Sequence, residues 1–372
     1  MFKNTERSPF FLSFSTEMIA NIVAVTIPLL ALSLHASPFE IGLLATSRGV
    51  VYFVWTFVAG YALARHDRRR VLLLATMLDL AAALLFYLSR VPSELIVLRA
   101  LEGLAMATFW PTLESLIAKI RTSRESGDAL RGFNISWGLG QMIGPIIAGS
   151  VIMFFDVRRP FIVAAAFAIL NMILILRYKS ASHMVDQNKR PVASLGGMPA
   201  KLILTVAFLG GIASVFFAFF PVFAVTLEIS ALELGILLFL FGLTRVLVFH
   251  RALSIQARPY SRMLLASLGF LMVYVGNRFL MYVGVVVLAA GLSLLYAYAL
   301  DLVLQGDDLS VRRRAGVFEG LLGVGSMVGP FLAGFVAEFS FAYTFMAVAL
   351  ASLLFAAVLK LLEIHSARAY SC

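Results

Sequence analysis

Glu17 and Asn21 lie four residues apart inside a long apolar run, a spacing that stacks two side chains on one face of a helix. Arg99 and Glu102, three apart, stand the same way in another run, which continues through Trp110, Pro111 and Glu114. Arg48, Asp79 and Arg245 interrupt three further runs. A charge at mid-bilayer depth costs at least about 2.5 kcal/mol, so each of these residues is expected to have a partner or a task. A carboxylate beside an arginine and facing a cavity can load and release a proton as its surroundings change. Glu17, Glu102, Glu114 and Asp301 are therefore the proton-coupling candidates. Each charge also has a plainer reading. Arg99 and Glu102 can be a permanent pair on one helix, Arg48 and Asp79 can tie the second run to the third, and Arg245 can snorkel to an interface.

Other polar side chains extend the list. Asn134, Trp137 and Gln141 punctuate a fifth run, and Glu319 stands 185 residues after Asn134, at an equivalent place. Tyr298 and Asp301, three apart, share a helical face, whereas Tyr296 and Asp301 do not. The substrate-cavity candidates are Asn21, Arg48, Arg99, Trp110, Asn134, Trp137, Gln141, Arg245, Tyr298 and Glu319, the aromatics among them being more often packing than a binding box. No P-loop, HExxH or CxxC occurs, so neither direct ATP coupling nor an enzyme site is expected. The five His fall at run ends and do not cluster, and the one cysteine is Cys372, so no metal, cofactor or intramolecular disulfide is expected.

The elements that must position these groups are membrane spans. The chain has 372 residues, 61% hydrophobic and 13% charged, and a mean hydropathy of +0.95. That is too much apolar surface for a soluble chain to hide. Runs long enough to cross a bilayer lie at about 10–34, 40–64, 71–89, 93–118, 133–155, 160–177, 201–227, 234–250, 262–276, 279–304, 316–337 and 341–362, the ninth being short. Strands are excluded by run length and the lack of period-two alternation. The first run is too long for a signal peptide's apolar core. The net charge of +10 is spread between runs rather than gathered in one patch, so it reads as topology and not as nucleic-acid binding. With both termini inside, 23 of the 30 Lys and Arg fall on the inner side and 4 on the outer. This bias predicts a multi-pass protein of the cell membrane with cytoplasmic termini. Residues 179–200, polar and holding two Pro, read as a linker between an N-terminal bundle (1–178) and a C-terminal bundle (201–372).

The two bundles repeat one another. Residues 140–149 read GQMIGPIIAG and residues 325–334 read GSMVGPFLAG, at an offset of 185. Near the start of each half the offset is 193, pairing Pro28 with Pro221, Gly42 with Gly235 and Gly49 with Gly242. Equivalent segments run in the same direction, so the duplication is of six spans about an axis along the membrane normal. Gly140, Gly144 and Gly149, with Gly325, Gly329 and Gly334, let a neighbouring helix approach closely. Pro145 and Pro330 bend their helices, as packing features or as pivots when the halves rock.

These motifs resemble the major facilitator superfamily over nearly the whole chain. The family's G-x-x-x-D-R-x-G-R-R signature is similar to GYALARHDRRR, with Gly60, Arg65, Arg68, Arg69 and Arg70 in place. Ala64 and Asp67 replace the usual Asp and Gly, so Asp67 is left as a partial substitute for the family's inter-helix latch. Arg99 to Gly103 is similar to the family's span-four motif with Glu102 in place of Gln, and the span-five pattern is the one that the family associates with antiporters. The resemblance implies an all-α fold of two six-helix bundles about a central cavity, working by alternating access without a cofactor. It implies a monomer in the lipid bilayer that moves a small-molecule substrate against a coupling proton, as drug-efflux antiporters do. Import or facilitated passage of sugars or organic anions is the alternative, and a non-transporting sensor the third.

Overall fold

The computed structural model describes residues 4–62, 66–123, 126–177, 198–251, 258–304 and 308–369, and among them it has twelve α-helices. The first half comprises α1 (Asn4–Ser33), α2 (Pro38–Ala62), α3 (Arg68–Leu88), α4 (Pro92–Ser123), α5 (Ser126–Phe154) and α6 (Arg159–Arg177). The second comprises α7 (Ala200–Thr226), α8 (Ala231–Arg251), α9 (Pro259–Tyr274), α10 (Arg278–Leu304), α11 (Asp308–Ala337) and α12 (Phe341–Ala369). Every expected span coincides with one helix. Among the described residues ten are long and apolar enough to cross a bilayer by composition, and α9, short as expected, has 16 residues. Most of the 179–200 linker lies outside the described residues, as does Arg65.

Leu74, Met77, Leu84 and Leu88 of α3 are exposed, as are Ile162, Ile169 and Leu176 of α6. Leu264 and Leu268 of α9 and Leu354 and Leu361 of α12 match them in the other half. Apolar surface on this scale requires lipid as its solvent. Some polar groups inside the bundles pair across helices. Asn171 of α6 accepts from Ser15 and donates to Thr16 of α1 at 3.2 Å, and Ser267 donates to the Ala349 carbonyl at 2.8 Å.

The repeat extends to chain reversals. Beyond the end of α1 the chain turns at His35 with φ 60°, and beyond the end of α7 it turns at Glu228 with the same φ. In each, the next amide reaches back to close a Schellman turn, Ala36 to Ala31 at 2.9 Å and Ile229 to Ala224 at 3.1 Å. In the α5–α6 turn Asp156 accepts from the amides of Arg158 and Arg159. Partial burial pushes its carboxyl up, but those bonds and the Arg159 side chain outweigh this and hold it below the usual carboxylate range.

The halves meet along two seams at the end of the bundle away from the termini. A Cβ placed at Gly42 of α2 would lie 2.6 Å from the Pro330 carbonyl oxygen of α11. One placed at Gly235 of α8 would lie 2.6 Å from the Pro145 carbonyl oxygen of α5. Gly49 and Gly242, a few turns along, touch the backbone at Met327 and Met142. One contact is therefore made twice, once by each copy of the repeat. Within each half, glycines of the fifth helix also bring the first helix close. Gly144 lies against Met18 of α1 and Gly329 against Gly211 of α7.

Candidate functional site

Between the halves lies a cavity of about 190 Å³. Glu17 and Asn21 of α1, Arg48 of α2, Arg99 and Glu102 of α4 and Gln141 of α5 supply its polar wall. The second half contributes Ser214, Phe217 and Ala218 of α7 and Ser326 of α11.

The charges form two groups. Glu102, 1% exposed, accepts from the Arg99 guanidinium one turn before it, the pair that their spacing predicts. Arg48 Nε lies 3.4 Å from the other carboxylate oxygen of Glu102, so two cations from two helices flank one anion. Gly103 makes this approach feasible, because a Cβ there would lie 2.6 Å from the Arg48 carbonyl oxygen. The expected Arg48–Asp79 bond is not formed. Asp79 is buried on α3, within electrostatic reach of Glu102 and Arg48, but Arg48 turns to α4 instead. The reason is proximity, since α2 packs closely on α4 at Gly103.

On the other wall Asn21 Nδ2 donates to Glu17 Oε1 at 3.0 Å and to the Glu17 carbonyl at 2.9 Å. The Trp137 indole also faces the Glu17 carboxylate. Gln141 is 6% exposed, and its Oε1 has no hydrogen-bond partner.

Arg245 does not snorkel. Its guanidinium lies 4.7 Å from the Trp137 ring and 5.3 Å from those of Phe249 and Tyr296. Trp137 belongs to the first half and the other three residues to the second, so this cation–π cage crosses between halves. An aromatic cage compensates a desolvated guanidinium where it stands.

Several expected residues lie elsewhere. Trp110 packs edge-on against Phe109 and Phe133. Tyr298 lies 5.1 Å from the Arg262 guanidinium within the second half, and Asp301 is exposed near it. Glu114 is exposed and Glu319 half-buried, and neither lines the cavity. The side chain of Asn134 and the surroundings of Gly60 lie outside the described residues. Asp67 caps α3 by accepting from the Arg69 amide at 3.0 Å rather than pairing with another helix among the described residues. Arg69 donates to the Ile175 carbonyl at 3.1 Å and to that of Leu176, fastening α3 to the end of α6. Sequence reasoning missed Ser214, Phe217 and Ser326. The repeat held the signal, because Ser214 is the mate of Asn21 at offset 193 and Ser326 the mate of Gln141 at offset 185.

Comparison with known proteins places this geometry in context. Residues 9–306 match the Major Facilitator Superfamily. Multidrug resistance protein 1 of Bacillus subtilis (strain 168) is 25% identical over 357 residues, 88% of each chain. Among solved structures, a variant of the nucleoside transporter NupG superposes with a TM-score of 0.81 at 14% identity, covering 96% of this chain and 99% of that one. A bacterial homolog of the human lysosomal transporter Spinster superposes at 0.80 with 13% identity, covering 98% and 96%.

Proposed function

The chain belongs to the Major Facilitator Superfamily, and from that premise we propose that it is a proton-coupled secondary transporter exporting small amphipathic molecules by alternating access. The unequal supply of cations on the two cavity walls carries this reading. Glu102 has two guanidiniums within 4 Å. Glu17 has an amide and an indole, while Arg245 and Arg48 act on it only from beyond that distance. A buried carboxylate without a counter-ion must be neutralised by a proton or by a cationic partner. Glu17 is thus the group at which a proton and a substrate would take turns, while the Arg99–Glu102 pair, steadied by Arg48, holds the opposite wall.

Transport in the cycle proceeds by rocking. The glycine seams hold the halves together at the end away from the termini, and opening there requires them to part. The Pro145 and Pro330 bends lie in those seams and are the pivots. The distribution of Lys and Arg supports cytoplasmic termini in a cell membrane, and the multidrug-resistance relative supports export. One chain encloses the whole cavity, in keeping with a working monomer.

The test uses protein in liposomes with a trapped pH dye, an acid interior and a panel of small amphipathic compounds. A substrate should dissipate the gradient, and Glu17→Gln should abolish proton movement. Substrate flux at an unchanged rate with no proton movement sinks the coupling. A second reading, import or facilitated passage of organic anions, is favoured by Arg48, which is 36% exposed inside the cavity. On that reading Arg48→Ala weakens carboxylate uptake selectively and no proton flux accompanies it.

A further inference from the structure

We infer that the cavity takes a small zwitterion, a molecule with one carboxylate, one ammonium and a short apolar body, which Arg48 reads at one end and Glu17 with Gln141 at the other. The inference rests on the transporter reading only for the cavity's being the substrate site, and it names that substrate's class.

Arg48 is the cation that its own protein does not use up. Arg99 already donates to Glu102, and the Arg48 Nε nearby makes no hydrogen bond although it lies 3.4 Å from the carboxylate. Among the described residues the Arg48 guanidinium has no hydrogen-bond acceptor at all, while Glu102 holds it aimed into the cavity. A guanidinium presents a planar fork that fits a carboxylate with two parallel bonds.

The facing wall offers acceptors. Gln141 Oε1 is buried and unpartnered, an arrangement that is unfavourable unless a donor arrives. Glu17 accepts a single amide at Oε1, and a carboxylate can take several donors. Asn21 spends its Nδ2 on Glu17 and so offers only its oxygen. An ammonium has three donors and no acceptor, the complement of such a wall.

Charge balance points the same way. The ionisable groups that line the cavity are Glu17 of α1, Arg48 of α2 and Arg99 and Glu102 of α4. Two formal negatives meet two formal positives. A ligand of net charge would leave one buried charge uncompensated, whereas a zwitterion satisfies separated patches and adds none. The apolar remainder, Ile27, Leu44, Phe217 and Ala218, takes the body. A volume of 190 Å³ holds roughly a dozen non-hydrogen atoms at the packing density of protein interiors.

Three probes share one apolar body and differ only in their charged ends: phenylalanine, phenethylamine and 3-phenylpropionate. Binding of each to the purified full chain in lipid nanodiscs is measured by calorimetry. Phenylalanine should bind at least tenfold more tightly than either analogue. Arg48→Gln should erase its advantage over phenethylamine, and Glu17→Gln its advantage over 3-phenylpropionate. Arg48→Lys should keep part of the preference, which separates lost recognition from a damaged fold, as do unliganded melting temperatures. The inference is overturned if one singly charged analogue binds as tightly as phenylalanine, if none of the three binds, or if Arg48→Gln weakens phenylalanine and phenethylamine alike. Binding in the expected order without proton movement sinks the coupling but leaves the ligand class standing. Proton movement driven only by singly charged amphipaths does the reverse.

Discussion

The seams and the cavity are built by the same repeat, yet they treat it in opposite ways. At the seams the two halves keep identical chemistry. Gly42 meets Pro330 as Gly235 meets Pro145, each at 2.6 Å from a carbonyl oxygen to the missing Cβ. In the cavity the equivalent positions have diverged. Asn21 and Gln141 line it together with Ser214 and Ser326, their own mates. Arg48 corresponds to Phe241, a buried core residue, at offset 193. A seam is a steric device, and any side chain spoils it equally in either copy. A binding wall needs different groups at its two ends, so symmetry there would be a handicap. Function in this fold is therefore written where the repeat breaks, and mechanics where it holds.

The largest expected effect is at the seams. Gly42→Leu and Gly235→Leu each force a side chain into backbone, a strain of about 1–3 kcal/mol or more. Both should reduce transport in liposomes more than tenfold, and by similar factors, because the contacts are equivalent. A loss confined to one variant would show that the seams are not two copies of one device.

The cavity should respond unequally. Gln141→Ser makes that position match its mate, removing the amide on Glu17's wall, and should lower transport about tenfold, in line with one lost hydrogen bond in a desolvated site. Ser326→Ala should change it less than twofold, since the Ser326 hydroxyl already donates to the Gly323 carbonyl of its own helix at 2.8 Å. Equal effects from the two variants would mean that the walls share the work.

This contrast also explains what the sequence reveals. Long apolar runs, the short polar segments between them and a ten-residue repeat state the helices and the duplication almost completely, because a bilayer leaves a chain few alternatives. Within one helix, spacing was enough for Glu17–Asn21 and Arg99–Glu102. Partners across helices were not legible. Arg48 and Glu102, like Arg245 and Trp137, lie on segments whose relative rotation depends on packing, so local spacing carries no record of their meeting. The seam glycines record close approach but not which helix approaches. Phe217, one among 32 phenylalanines, has no local mark at all.

The smallest effect lies at the helix starts, where the repeat breaks in miniature. In the first half Ser37 and Glu40 form a reciprocal capping box, Ser37 N donating to Glu40 Oε2 at 2.8 Å and Glu40 N to Ser37 Oγ at 3.2 Å. Their mates are Ser230 and Glu233, and only half of the box survives. Glu233 N still donates to Ser230 Oγ at 3.2 Å. The Glu233 carboxylate has turned instead to Arg278 at the start of α10, with Arg278 Nε at 2.7 Å and the Tyr282 hydroxyl at 3.3 Å. A glutamine can complete a capping box, so Glu40→Gln should shift the melting temperature little, and equally at low and high salt. Glu233→Gln removes an ion pair whose arginine is largely exposed, so its shift should be about 1 °C at low ionic strength and should fade as salt is raised. A stronger salt response at Glu40 would mean that the first-half glutamate, not its mate, does the electrostatic work, and the division between a conserved cap and a recruited one would fall.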